Sequence, residues 1–414
     1  MSGQLSSPAR SHQVRPKVIV AGAPAQVALR AIAGPGAFEP GRSYDVRVFS
    51  KVNRTEDARL TVVADERGEL IAPARFTCAG EAEIQVRAAG GEDIIASDVF
   101  FAVAPAMARW RPFKGDLHMH TTGSDGKALP LAMARRARQV GHDFIAITDH
   151  DNYEPSRQAM AAVAQAGIDL LVLGGEEVTI RENGGHILSL NATGGVSALQ
   201  REPGAEAQRA AIIDHEIGPR QLVHPLTPAQ YASAVWVIRK IRELGGLAII
   251  AHPYWMGTAA KYYPPRCTVE QLLDDRLCDG IEVLGGSPNS EGNRLAIASY
   301  AREAARGHLL SVVAGSDAHC EADVGARYWT IALCERLDVS SIVQAIAQRR
   351  TVACDAPAGA EAALYGPFEI LEYVYFLHRE YFPLHDRACA AGGTRAQVDQ
   401  ASDDFWADAN INRR

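Results

Sequence analysis

The 414-residue sequence contains no long hydrophobic run. Its apolar runs, such as Leu247-Ala-Ile-Ile-Ala251, are strand-sized and fall far short of the roughly 20 apolar residues that a bilayer-spanning helix needs. It has no surplus of positive charge either. Against 42 Lys+Arg stand 49 Asp+Glu, a formal net charge of −7, so no basic face for nucleic acid is expected. No C-x-x-C pair occurs, and the seven cysteines (Cys78, Cys267, Cys278, Cys320, Cys334, Cys354 and Cys389) are scattered. An odd, dispersed set argues against a disulfide framework or a cysteine-based zinc module and for reduced thiols. Also missing are a G-x-S-x-G elbow, a Walker loop and a G-x-G-x-x-G turn after the first strand of the α/β region. Serine-elbow and nucleotide-dependent chemistry are therefore not suggested. Met1 to Lys17 carries no apolar secretory core, and the protein is expected in the cytoplasm.

What is present is an ordinary globular composition, 47% apolar and 22% charged, at a length that suggests two or three domains. Residues 1–15 read as a flexible leader. Residues 16–108 hold short β-type runs, among them Tyr44-Asp-Val-Arg-Val-Phe49 and Asp98-Val-Phe-Phe-Ala-Val103, separated by Gly/Pro turns. Several alternate apolar with polar residues, as one wet sheet face requires, and a small antiparallel β-sandwich is expected. From Trp110 the rhythm changes. Continuous apolar strands (Phe144–Ile147, Leu170–Leu173, Ile187–Leu190, Leu247–Ile250, Gly280–Leu284, Leu310–Val313) alternate with helical stretches, several ended by glycine. Strands buried on both faces and joined through helices predict an α/β fold with a parallel sheet or barrel over residues 109–357. Residues 358–414 read as a helical C-terminal extension, packing on the barrel or on a second copy in a homo-oligomer.

Histidine is unevenly placed: ten of 13 fall between His118 and His319. Polar residues follow nearly every apolar strand. Asp116-Leu-His118-Met-His120 ends the first, Asp149-His150 the second, Glu176-Glu177 the third, and His252 and Asp317-Ala-His319 end later ones. In barrel enzymes this is where the active site forms. Residues i and i+2 of a strand share a side, so His118 and His120 can grip one ion, as can Asp317 and His319. Mixed imidazole and carboxylate donors suit Zn, Mn or Fe rather than Mg or Ca.

Together, Lys114-Gly-Asp-Leu-His-Met-His-Thr121, Ser124-Asp-Gly126, Thr148-Asp-His150, Gly185-His186, Ala251-His-Pro253 and Gly315-Ser-Asp-Ala-His319 resemble the PHP (polymerase and histidinol phosphatase) family. The K-G-D-L-H-x-H start and the preceding β domain are similar to its carbaryl-hydrolase-like branch. The resemblance implies a distorted (β/α)7 TIM-like barrel holding two or three divalent ions. By position, it implies His118, His120, Glu177 and Asp317 on a first ion, Glu177 bridging to a second with His186 and His252, and Asp125, His150 and His319 on a third. Glu177 is preferred to Glu176 because Glu177-Val-Thr179 matches the family's pattern.

Such a centre implies a hydrolase acting on ester bonds of a small molecule, through a metal-bridging hydroxide. A phosphoesterase is expected, with diesters favoured over monoesters because no dense Arg/Lys cluster lies near the motifs. The alternatives are a carbamate or carboxyl-ester hydrolase and a metal-stabilised binding module. Glu177, Asp317, His319 and His224 are the catalytic candidates, and Arg181, Tyr254 and Arg327 the substrate contacts. Asp149 is expected to orient a ligand or a water, and Glu282 to support one from behind. His142 is expected as a capping or surface residue, His215, His308, His378 and His385 at the surface, and Cys320 in packing.

Overall fold

Along Ser43–Ser50 (SYDVRVFS) every second residue is buried, so Tyr44, Val46 and Val48 point to one side of a strand. The same period recurs in Gly80–Ala88. These strands belong to a five-stranded sheet ordered Val18–Val20, Ile94–Val103, Gly80–Ala88, Ser43–Ser50, Asp57–Val63. A three-stranded sheet, ordered His12–Arg15, Ala25–Ala31, Leu70–Ala74, supplies the other residues of one apolar cluster. Val14, Val27, Leu29 and Leu70 come from it, and Val46, Val48, Ile84 and Phe100 from the larger sheet.

The computed structural model describes residues 11–32, 38–52, 57–182, 185–256, 262–286, 289–392, 394, 397, 405 and 406. The chain divides into two units. The first is Met1–Trp110 with Tyr375–His385 and Ala396–Arg414, and the second is Arg111–Val374 with Asp386–Arg395.

Two expectations are corrected here. His12–Arg15, read as part of a flexible leader, is a strand paired antiparallel with Ala25–Ala31. Its single apolar residue hid the pattern: Val14 is fully buried, and its N–H donates to the Asp98 carboxylate at 2.7 Å. Residues 1–10 lie outside the described residues. The division at 357 also differs from the structure. Ala363–Tyr365 adds a strand beside Thr351–Asp355 in the second unit, while Tyr375–His385, from the helices Phe368–Glu380 and Phe382–Ala390, groups with the first. There the buried Lys17 ammonium bridges Asp98 (2.7 Å) and Glu380 (2.9 Å). A buried cation persists only with such partners.

In the second unit hydrogen bonds define two sheets. One is ordered Leu171–Leu173, Phe144–Ala146, Arg111–Asp116, Tyr328–Cys334, Thr351–Asp355, Ala363–Tyr365. The other is ordered Gly175–Thr179, His186–Leu190, Leu247–Ile250, Gly280–Leu284, Ser311–Ala314. Where one run of parallel strands was expected, the pairing is mixed. Phe144–Ala146 lies parallel to both its neighbours, and Gly280–Leu284 likewise. Gly175–Thr179 and His186–Leu190 are antiparallel, because the segment joining them is too short for a crossover helix. The connections that are long enough are helical, including Pro130–Gln139, Glu154–Ala166, Pro228–Glu243, Ser290–Ala305 and Val339–Ala347. Pro228–Glu243 starts on a Thr227/Gln230 capping box and buries Trp236, Val237, Ile238 and Ile241, which satisfies its first amides and its apolar face together.

Arg111–Asp116, which leads into the H-x-H segment, depends on a close approach. A Cβ on Gly115 would lie 2.4 Å from the Phe144 ring and 2.5 Å from its carbonyl oxygen. Backbone cannot move aside as a side-chain tip can. Gly115→Ala is therefore expected to cost about 1–3 kcal/mol, read as a lower urea midpoint; an unchanged midpoint would show that the two strands are not so tightly apposed.

Candidate metal centre

Two single-residue bridges bring the motif segments together. Met119 pairs with Ala318, and His150 with Glu177. The first bridge is closed by His120 N–H donating to Ala318 O at 2.8 Å and Asp317 N–H donating to His118 O at 2.9 Å. Met119 and Ala318 turn into an apolar cluster with Met133 and Ile145. His118, His120, Asp317 and His319 therefore project from the other side. The second bridge, with Glu177 N–H donating to Thr148 O at 3.1 Å, adds His150 and Glu177. His252 and Asp317 reach the centre with φ of +21° and +54°, values a non-glycine residue adopts only under constraint, as functional sites often impose.

Glu177 lies at the middle, fully buried. Its Oε2 is 3.2 Å from His118 Nε2, 3.3 Å from His120 Nε2 and 3.1 Å from His150 Nδ1. Its Oε1 is 2.8 Å from His186 Nδ1 and 2.9 Å from His252 Nε2. Asp317 Oδ1 stands 3.0 Å from His120 Nε2 and 3.5 Å from His118 Nε2. Toward solvent, Asp125 Oδ2 lies 3.2 Å from His319 Nε2 and 3.8 Å from His150 Nε2. All nine expected ligands are thus brought together, in four overlapping groups that could each hold an ion: His120/Asp125/His150/His319, His118/His120/Glu177, His118/His252/Asp317 and His150/Glu177/His186.

The donor set fits metal ions. His118 Nε2 and His120 Nε2 face each other at 3.1 Å, an apposition of lone pairs that needs a proton or a cation between them. Glu177 Oε2 and His186 Nδ1 are buried without a hydrogen bond, whereas buried polar atoms are normally satisfied. The outer nitrogens are already committed. His118 Nδ1 meets the buried Glu282 carboxylate at 3.1 Å, His252 Nδ1 the carbonyl of Tyr263 at 3.3 Å, and His319 Nδ1 the carbonyl of Asp317 at 2.8 Å. Each contact fixes a tautomer that leaves Nε2 as the free donor. Glu282 also accepts from His252 N–H at 2.7 Å, so it supports two candidate ligands.

Electrostatics follow from the same geometry. Burial disfavours charge on His118, yet Glu177, Glu282 and Asp317 outweigh it and hold the imidazole well above its usual range. Burial likewise opposes charge on His120, but Asp317 and Glu177 push it up to about 9. Glu177 is held well below the carboxylate range because His186 and His118 outweigh its burial. Asp116, which accepts from Ser316 and His118 amides, is pushed up to about 6 by burial.

The neighbours of the motifs separate clearly. Glu176 turns away from Glu177 and accepts the amides of Val196 (2.6 Å) and Ser197 (3.3 Å). Asp149 accepts from Thr121 N–H, Thr121 Oγ and Ser124 Oγ at 2.7–2.9 Å. It therefore pins the turn that carries Asp125. Of the expected substrate contacts, Arg327 is spent on a two-point ion pair with Asp355 (2.7 and 3.0 Å). Tyr254 is buried, with its hydroxyl donating to Ser299 at 3.1 Å. Arg181 is exposed and donates to Gln200 O at 3.1 Å. His224 is exposed and belongs to none of the four groups. His308 and His385, expected at the surface, are buried, as is His142; His308 is held by Glu303 at 3.2 Å. Cys320 is part-exposed, its thiol near Asp323 at 3.1 Å. An aromatic hairpin, Trp255–Met256 paired with Tyr262–Tyr263, was missed beside His252. Its only sequence signal is the density of aromatics after His252-Pro253.

Residues 116–308 match the model of the PHP domain, and residues 299–351 that of the PHP-associated segment. Over residues 116–308 the second unit is thus similar to a PHP domain. Among curated relatives, the 5'-3' exoribonuclease Rnm of Escherichia coli is 31% identical over 175 residues, 38% of this chain and 60% of the relative. The 3',5'-nucleoside bisphosphate phosphatase of Chromobacterium violaceum is 28% identical over 265 residues, 51% of this chain and 88% of the relative. A solved two-domain protein from Bacteroides vulgatus, described as containing a predicted PHP-like metal-dependent phosphoesterase, has 20% identity and a TM-score of 0.42. That match covers 60% of this chain and 66% of the other. The expectation of no nucleic-acid partner rested on net charge alone, and a relative named as an exoribonuclease does not support it. Among the described residues, no helix is long and apolar enough to cross a membrane.

Two outcomes are expected. Glu177→Gln should lose bound metal in elemental analysis while Glu176→Gln retains it; the reverse order would exchange their roles. In the metal-free protein the His120 proton stabilises the fold fully below its free value of 6.5 and is lost as pH rises through about 9. An ion competes with that proton, so apparent Zn or Mn affinity should rise between pH 6.5 and 9. Competition titrations showing pH-independent affinity would contradict this.

Proposed function

We propose that this chain is a metal-dependent phosphoesterase. The observation that carries the reading is the buried Glu177 carboxylate ringed by five imidazole nitrogens, with a wetter Asp125/His150/His319 group beside it. His118, His120, Glu177 and Asp317 would hold one ion, Glu177 with His186 and His252 a second, and Asp125, His150 and His319 a third. Imidazole with carboxylate suits Mn, Zn or Fe. When bound, such ions acidify a water and offset charge on substrate oxygens.

The chain's own residues do the rest. Glu177 and Asp317 supply the fixed negative charge that keeps the cations in place. Glu282 and the carbonyls of Tyr263 and Asp317 orient the imidazoles. His118, Glu177 and His252 sit on the closed side, with side-chain exposures of 0–3%. His150 and His319, at 31% and 35%, mark the open side. Substrate approaches there, where Asp125, His150 and His319 face solvent. With Arg327 committed to Asp355, only Arg181, itself donating to Gln200 O, remains of the two expected guanidiniums that could neutralise a second phosphate charge. That favours phosphodiesters, each with one charge, over monoesters. A relative named as an exoribonuclease points to phosphodiesters and one named as a nucleoside bisphosphate phosphatase to phosphomonoesters, so together they support phosphate esters as the substrate class.

The carbaryl-hydrolase-like resemblance supports a second reading, hydrolysis of carbamates or carboxyl esters whose carbonyl the same ions would polarise. The test compares aryl phosphodiesters, aryl phosphomonoesters and 1-naphthyl methylcarbamate. Turnover of phosphate esters should vanish with chelator, return with Mn or Zn and be competitively inhibited by inorganic phosphate. Turnover of the carbamate without any phosphate ester would overturn the proposal.

A further inference from the structure

The residue after His252-Pro253-Tyr254 opens the hairpin that the motifs do not explain. Trp255 lies directly across from Tyr263, their ring centres 5.8 Å apart. Both ends of this pair are tied to a candidate ligand. Trp255 N–H donates to His252 O at 3.0 Å, and Tyr263 O meets His252 Nδ1 at 3.3 Å. The indole centre is 5.6 Å from the His252 ring, and the Tyr263 ring is 6.4 Å from His186. On the far side the wall reaches the other candidate ligands through Gly286. A Cβ there would stand 3.3 Å from Trp255 Cδ1 and 3.4 Å from Asp317 Oδ2.

Aromatic rings placed for packing alone are covered, as Trp236 is at 3% exposure. Trp255 and Tyr263 are each only part-buried, although they border the candidate ligands His252 and His186. An exposed π-surface next to ions that take tetrahedral oxygens has one evident complement, a flat ring carried on the ester. Stacking of that kind is strong and tolerant of ring identity.

We infer that Trp255 and Tyr263 form a stacking platform for a planar aromatic group carried by the substrate, an aryl ring or a nucleobase. The inference rests on the phosphoesterase reading and narrows it: flexible alkyl and sugar phosphates are poor substrates, and aromatic esters good ones. Trp255 is the specificity-determining residue, with Tyr263, tilted 51° to it, flanking the stacked ring from the side.

The test is calorimetric binding of non-hydrolysable analogues to the Mn-loaded full chain, with no turnover required. Benzylphosphonate, ethylphosphonate and the phosphonate analogue of AMP share a headgroup and differ in the organic part. The wild type should bind at least one aromatic analogue about tenfold or more tighter than ethylphosphonate. The tighter of the two aromatic analogues identifies an aryl or a nucleoside substrate. In Trp255→Ala that ratio should collapse toward one, and Trp255→Phe should restore most of it. Because the readout is a ratio within one protein, a general loss of folded protein does not imitate it. No aromatic preference in the wild type, or a preference that survives Trp255→Ala, overturns the platform while leaving the phosphoesterase reading intact. Failure of all three phosphonates to bind overturns that reading and the platform with it.

Discussion

A carboxylate in a dry interior is tolerable only if something positive answers it, and Glu177 sets that condition for the centre. Its two oxygens are shared among five imidazoles, and Asp317 and Glu282 add negative charge within the same few ångströms. Protons on histidine can balance this charge in part. A proton can also bridge His118 Nε2 and His120 Nε2, but Glu177 Oε2 and His186 Nδ1 keep no hydrogen bond in this geometry. Metal ions answer all three demands at once, which is why the donor set reads as a metal centre rather than as a structural ion-pair network.

The fold serves that centre by aligning polar segments past the ends of apolar strands with Glu177 inside Gly175–Thr179 and His186 at the start of His186–Leu190. Two single-residue bridges, Met119 with Ala318 and His150 with Glu177, set the relative register of the motifs. A slip of one residue in the first would turn both histidines of H-x-H into the apolar cluster and Met119 into the centre. Asp149 and Glu282 then fix what register alone leaves loose. Asp149 holds the turn before Asp125, and Glu282 holds the ring of His118 and the backbone of His252.

Much of this was legible because it is local. H-x-H, D-x-H and T-D-H place donors by spacing, and the apolar runs Leu247–Ile250 and Gly280–Leu284 appear as strands with the expected bounds. What was not legible depends on partners distant in sequence. The polar segment His12–Arg15 gains its strand from Ala25–Ala31, and Arg327 is withdrawn from substrate by Asp355. Tyr328–Cys334 pairs antiparallel with Arg111–Asp116, a pairing no local period encodes. His142 and His308 are buried by packing around them, although nothing in their immediate sequence distinguishes them from surface histidines. Trp255 and Tyr263 meet only through the hairpin.

The central claim is that Glu177 lies among several ions rather than among protonated histidines. Anomalous diffraction at the Mn or Zn edge, from crystals of the loaded protein, tests this most directly. The account predicts two or three peaks among the nine ligands, with two of them in coordination distance of the Glu177 carboxylate. No peak at Glu177, with its oxygens hydrogen-bonded to imidazolium groups instead, would contradict it.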